Sequence, residues 1–92
     1  MKALRSALAV AVAAVLVAPA AFAGPKCTDA PRSQWLPEHA MQERITAAGY
    51  TIDKFKVSGS CYEIYGRDKA RRRVEIYYDP TDGRVVKQRG DE

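Results

Sequence analysis

The chain has 92 residues, 47% of them hydrophobic and 28% charged, with 15 Lys and Arg against 11 Asp and Glu, one His and two Cys. That length holds one domain and no second core. One histidine and two cysteines are too few to close a zinc site, and a net charge of +4 spread over both signs describes a solvated surface rather than a nucleic-acid patch.

Residues 1–23 read as a cleaved secretory signal peptide. Lys2 and Arg5 form a positive n-region, residues 7–18 are an unbroken run of Ala, Val and Leu, and Ala21, Phe22 and Ala23 make a small-x-small cleavage site. About a dozen apolar residues cannot cross a hydrocarbon core that takes roughly 20, so no membrane span is expected once the bond between Ala23 and Gly24 is cut. Processing leaves 69 residues and lowers the net charge to +2. The expected location is periplasmic or secreted.

Residues 24–34 carry Pro25, Pro31 and mixed polar side chains and read as an irregular lead-in. Cys27 lies within it, and in an exported chain its natural partner is Cys61. A redox pair would sit closer, as Cys-x-x-Cys. Gly24-Pro25-Lys26 also lacks the small apolar stretch that precedes a lipidated cysteine. A structural disulfide is therefore expected. It closes a loop of about 34 residues, worth roughly 3–4 kcal/mol on the chain-entropy model.

A domain is expected over 35–88. Its helix starts around residues 35–37, with Ser33 or a neighbour as cap, Pro37 in the first turn and Glu38 facing the positive end of the dipole. Leu36, Ala40, Met41, Ile45 and Ala48 form one apolar stripe. Gly49 stands where a glycine ends a helix, and Tyr50 can fold back onto Ile45.

After Gly49 the apolar period changes to two. Strands are expected over 51–57, 61–66, 72–78 and 84–88, separated by turn clusters at 58–60, 67–70 and 79–83. Such short gaps permit only hairpins, so the fold class is α+β: one helix packed on an antiparallel meander of about four strands. The helix-covered face should carry Phe55, Val57, Tyr62, Ile64, Val74, Ile76, Tyr78 and Val86. Pairing Tyr78 with Arg84 sets Ile76 opposite Val86 and Glu75 opposite Lys87. Ile52 is out of phase with Phe55, which points to a bulge near Asp53. Residues 89–92 read as a frayed tail.

The other face should hold Lys54, Lys56, Glu63, Tyr65, Arg73, Glu75, Tyr77, Val85 and Lys87. Such a face is normally solvated. Tyr65, Arg73, Tyr77 and Val85 could equally form a partner surface, since aromatic residues and Arg are enriched at interfaces. Asp79-Pro80-Thr81-Asp82-Gly83 offers two carboxylates but lacks a full calcium loop, and a tight turn accounts for every residue in it. Arg71, Arg72 and Arg73 on a strand point alternately and make no continuous patch. His39 has no nucleophile with a reason to sit beside it, so no catalytic residue, metal or cofactor is assigned.

Trp35 ahead of a helix, Ala48-Gly49-Tyr50, Cys61-Tyr62-Glu63-Ile64-Tyr65, Arg73-Val74-Glu75-Ile76-Tyr77-Tyr78 and the 79–83 turn follow one another in a pattern that resembles the PepSY domain family, in its short, stand-alone exported members. The resemblance implies a helix on a small antiparallel sheet. It also implies a non-enzymatic role as a modulator or inhibitor of peptidases, because such domains occur in protease propeptides. The expected partner is an envelope protein, such as a peptidase, met in trans. The alternative is a ligand-responsive accessory module that binds a small anion, a metal or a lipid headgroup through residues 71–73 or the 79–82 loop.

Overall fold

The computed structural model describes residues 24–90, and the expected signal peptide and the last two residues lie outside that range. A 3-10 turn, Arg32–Gln34, precedes the single helix α1, Glu38–Ala47, and four strands follow: β1 Thr51–Ser58, β2 Cys61–Arg67, β3 Arg73–Tyr78 and β4 Val85–Gly90. Their order in the sheet is β1-β2-β3-β4, antiparallel throughout, so the α+β meander is as expected.

The helix starts later than the sequence suggests. Ser33 is inside the 3-10 turn, and Pro37 takes the N-cap position with no side-chain capping bond. Trp35 and Leu36 are drawn out of the helix by tertiary bonds. The Leu36 N–H donates to the Pro80 carbonyl at 2.8 Å, and the Leu36 carbonyl accepts from the Tyr62 hydroxyl at 2.6 Å. The Trp35 indole donates to the Ala30 carbonyl at 3.1 Å and meets the Tyr62 ring edge-on at 5.3 Å. The other end is a Schellman motif, as expected. Gly49 has φ +103°, its N–H bonds the Thr46 carbonyl, and Tyr50 N–H reaches back to Ile45.

Met41 and Ile45 are the two buried helix residues, and they pack on Tyr62, Ile64, Val74, Ile76 and Tyr78. Phe55, Val57 and Tyr50 close the cluster from its margins. The bulge expected near Asp53 is present, between Ile52 and Lys54, and Arg67 holds Asp53 beside it at 3.5 Å. Gly66 lies against this bulge so closely that a Cβ would run into the Thr51 carbonyl. Backbone cannot step aside as a flexible side chain can. Gly66→Ala is therefore expected to lower stability by about 1–3 kcal/mol, the usual cost of overpacking, as read by urea denaturation.

The β3–β4 register departs from expectation. Asp79 N–H donates to the Arg84 carbonyl and Gly83 N–H to the Asp79 carbonyl, so the turn closes one pair further out than a Tyr78–Arg84 pairing. Tyr78 faces Val85, Tyr77 faces Lys87, Ile76 faces Gln88 and Glu75 faces Arg89, with a bulge after the first pair. A slip of one residue exchanges faces. Val86, expected under the helix, packs with Cys27, Cys61 and Tyr77 on the opposite face. Val85, expected on that opposite face, sits on the helix side beside Met41, Ile45 and Tyr78. β4 also runs on to Gly90, so Arg89 and Gly90 are strand rather than frayed tail. β3 begins at Arg73, not Arg72, because Asp68 captures the Arg72 N–H and guanidinium and holds Arg71 at φ 69° in the preceding loop.

Candidate functional site

The face of the sheet away from the helix is closed at one end and open at the other. Closure comes from the lead-in. Cys27 is bonded to Cys61, the first residue of β2, with Cα atoms 5.2 Å apart. The Ser60 hydroxyl accepts from the N–H groups of Cys27 and Thr28 at 2.8 and 3.3 Å, and the Pro25 carbonyl lies 3.0 Å from Cys61 Sγ. Gly24 continues over the Tyr77 ring, where a Cβ would come within 2.5 Å of Cε2. Tyr77 under this end and Glu63 opposite it, both expected on an uncovered face and Tyr77 in a partner surface, are each only 2% exposed.

Burial of two polar side chains makes partners within the protein necessary. The Tyr77 hydroxyl donates to Glu75 Oε2 at 3.0 Å, and Arg89 of β4 bonds Glu75 Oε1 at 3.2 Å. Lys56 of β1 approaches Glu63 Oε1 at 3.9 Å. Desolvation first, and then the hydrogen bond to Glu75, raise the Glu63 carboxyl above the ordinary range. The Glu75 carboxyl is held below it, first by the hydrogen bond from Glu63 and then by Tyr77 and Arg89, which outweigh its own desolvation. The two acids are thus pushed in opposite directions, Glu63 towards holding its proton and Glu75 towards losing it. Tyr77 is pushed well above a free phenol, by burial first and by the Glu75 bond second.

The open end carries Tyr65, 40% exposed, with Arg73, Glu75, Arg89 and Gly90 around a shallow groove between the ends of β2, β3 and β4. Lys56 lies 5.9 Å over the Tyr65 ring on its other side. Of the expected partner surface, the fold therefore brings Tyr65 and Arg73 together. Tyr77 is beneath the lead-in and Val85 is on the other face of the sheet. Arg89 and Glu75 complete the groove. Arg89 escaped the sequence reading because it was placed in a tail, although its parity with Lys87 already put it on this face.

The two features that might hold a small ligand are engaged internally. Asp79 accepts from the Thr81 N–H and hydroxyl at 2.8 and 2.6 Å, and Arg84 lies 3.4 Å from its other oxygen. Burial alone would raise Asp79, but these hydrogen bonds and the Arg84 charge hold it below the ordinary range. Arg44 of α1 bonds the Asp82 carbonyl at 2.7 Å, tying the helix to this turn. Arg71, Arg72 and Arg73 diverge: the first is in the loop, the second is bound to Asp68, and the third lines the open groove. Both cysteines are oxidised, so neither is a nucleophile for the exposed His39. No helix among the described residues is long and apolar enough to cross a membrane.

No curated protein and no solved structure matches the chain. Residues 7–89 do match one family model, from inside the expected signal segment almost to the end of β4. By that match, together with the helix, meander and Schellman turn, the chain belongs to the peptidase propeptide and YPEB domain family.

Proposed function

We propose that this protein is a non-catalytic exported binding module that modulates an extracytoplasmic peptidase by direct contact. Membership of the peptidase propeptide and YPEB domain family is the observation that carries this reading. The geometry supplies a route. The open groove holds an aromatic side chain and two guanidinium groups beside the free edge of β4, where an extended segment of a partner could add as a further strand. Interface anchors are typically of this kind, Tyr and Arg at a partly desolvated centre.

The test joins capture with inhibition. The processed protein is crosslinked in envelope extract, recovered peptidases are purified, and their cleavage of a peptide substrate is followed with increasing amounts of the module. Tyr65→Ala combined with Arg73→Ala should weaken binding at least tenfold, about 1.4 kcal/mol, without moving the melting temperature by more than a few degrees. Unchanged affinity in that variant, or no recovered peptidase whose activity responds, would overturn the proposal.

A further inference from the structure

Glu63 stands in the middle of β2 with one oxygen, Oε2, buried and without a hydrogen-bond partner among the described residues. In the ionised form that oxygen has no donor, which is costly, more so than for a neutral polar atom; a proton shared with Glu75 removes the cost by neutralising the group. The charged and titratable groups around it come from every neighbouring element. β1 contributes Lys56, 3.9 Å from the other oxygen; β2 contributes Tyr65; β3 contributes Glu75 and Tyr77. β4 contributes Arg89, bonded to Glu75, and Lys87, paired across from Tyr77. On the lead-in, the Lys26 ammonium is 2.6 Å from Asp29.

The lead-in also delivers Gly24. A Cβ there would sit 2.5 Å from Tyr77 Cε2, 3.0 Å from Cζ and 3.2 Å from Cδ2, so the residue rests on one edge of the ring whose hydroxyl bonds Glu75. Cutting the Ala23–Gly24 amide consumes one water and leaves a carboxylate on Ala23 and an ammonium on Gly24. A neutral, single-donor amide is thereby replaced by a cation with three donors, beside two buried carboxyls.

We propose that the α-ammonium of Gly24, released by hydrolysis of the Ala23–Gly24 bond, pairs with the Glu63–Glu75 carboxyl pair, so that removal of the leader locks the lead-in onto the sheet. The proposal rests on the cleavage site read in the sequence and is independent of the peptidase reading. The disulfide three residues away holds Gly24 in place, so little entropy remains to be lost when the pair forms. Without a cation at that position the Glu63 carboxyl is raised and the Glu75 carboxyl lowered. An ammonium there favours the ionised form of both.

The two states differ in the sign of the Glu63 contribution to pH dependence, while the lowered Glu75 carboxyl contributes stability as pH rises in both. A carboxyl whose folded pKa is raised contributes stability at low pH and loses it as pH rises through that pKa. An ammonium paired with a carboxylate does the reverse over the same interval. Its contribution appears as the carboxyls ionise, and fades only above the amine's own pKa, ordinarily about 7.7–8.0 and raised by the pairing.

Mass spectrometry of the exported protein should first find Gly24 as its amino terminus; any other terminus overturns the proposal. On that protein, acylation of the Gly24 amine at pH 7 should be at least tenfold slower in the native than in the urea-unfolded state. The pH dependence of that rate should give an amine pKa above the ordinary range. Equal rates, or an ordinary pKa, overturn the proposal without any variant. Acetylating Gly24 should lower the melting temperature by roughly 5 °C at pH 7, a change of about one kcal/mol for a domain of this size. Glu63→Gln should abolish that difference, whereas a difference that survives in Glu63→Gln counts against the pairing.

Discussion

Reduction of the Cys27–Cys61 bond is expected to lower the stability of the domain by about 3–4 kcal/mol, which corresponds to a fall of at least ~12 °C in melting temperature. The bond joins residues 34 apart, and Cys61 is fully buried at the start of β2. A domain of this length has a total stability of roughly 3–10 kcal/mol, so the loss is a large fraction of it. Two effects combine in the same direction. The unfolded chain regains the freedom of the opened loop, and in the folded state the start of the lead-in loses its covalent tie and keeps non-covalent ones, the Ser60 hydroxyl bonds and the contact of Gly24 with Tyr77 among them. Thermal melts with and without reductant, and of the Cys27→Ala, Cys61→Ala double variant, provide the check. Reduced and oxidised proteins melting within a few degrees of one another would contradict the expectation.

Ile64→Ala should have an effect of similar size for a different reason. Ile64 is fully buried, pairs with Phe55 on one side and Ile76 on the other, and belongs to the cluster beneath Met41 and Ile45. Removing its outer carbons from a site walled by strands on both sides leaves a cavity that cannot collapse, at a cost of about 2–5 kcal/mol. Val85→Ala is the control. Val85 is 49% exposed at the rim of the same helix-side face, and its truncation should cost well under 1 kcal/mol. Guanidinium denaturation of the two variants tests the pair together, and comparable losses at both positions would mean that the helix does not cover the sheet in solution as described.

What could be read from the sequence and what could not divide along a physical line. The helix ending, the meander, the Asp53 bulge and the disulfide depend on local chemistry: a glycine at positive φ, a period of two, a misphased Ile52, an even cysteine count in an exported chain. The errors came from interactions between segments distant in sequence. Trp35 and Leu36 have helical spacing, but Pro80, Tyr62 and Ala30 supply better bonds to an extended chain. The exchange of Val85 and Val86 follows from the turn closing through Asp79 and Arg84, one pair away from the alternative, and then from a bulge that apolar periodicity does not encode. Both registers place one valine on each face, so hydrophobicity alone could not choose between them. Tyr77 and Glu63 look uncovered by parity, but the lead-in, placed by a covalent bond from outside the sheet, covers Tyr77, and Glu63 is buried among Lys56, Glu75 and Tyr77. The candidate groove was therefore half legible: Tyr65 and Arg73 were visible from their strand positions, whereas the removal of Tyr77 and the arrival of Arg89 were not.

The strand order also dictates a timetable. Every strand pairs with its neighbour in sequence, so each hairpin can close before the next segment is available, and contacts of this short range favour rapid folding. Cys61 opens β2, which means the covalent loop can be sealed once the first hairpin exists, while β3 and β4 are still unformed. From that moment the amino-terminal strap is already stretched over the place where Tyr77 will arrive. A chain that meets its oxidant while it is emerging then folds its second half under a finished roof. One that meets it late must slip the strap over a completed sheet, with Glu63 and Tyr77 facing water in the meantime.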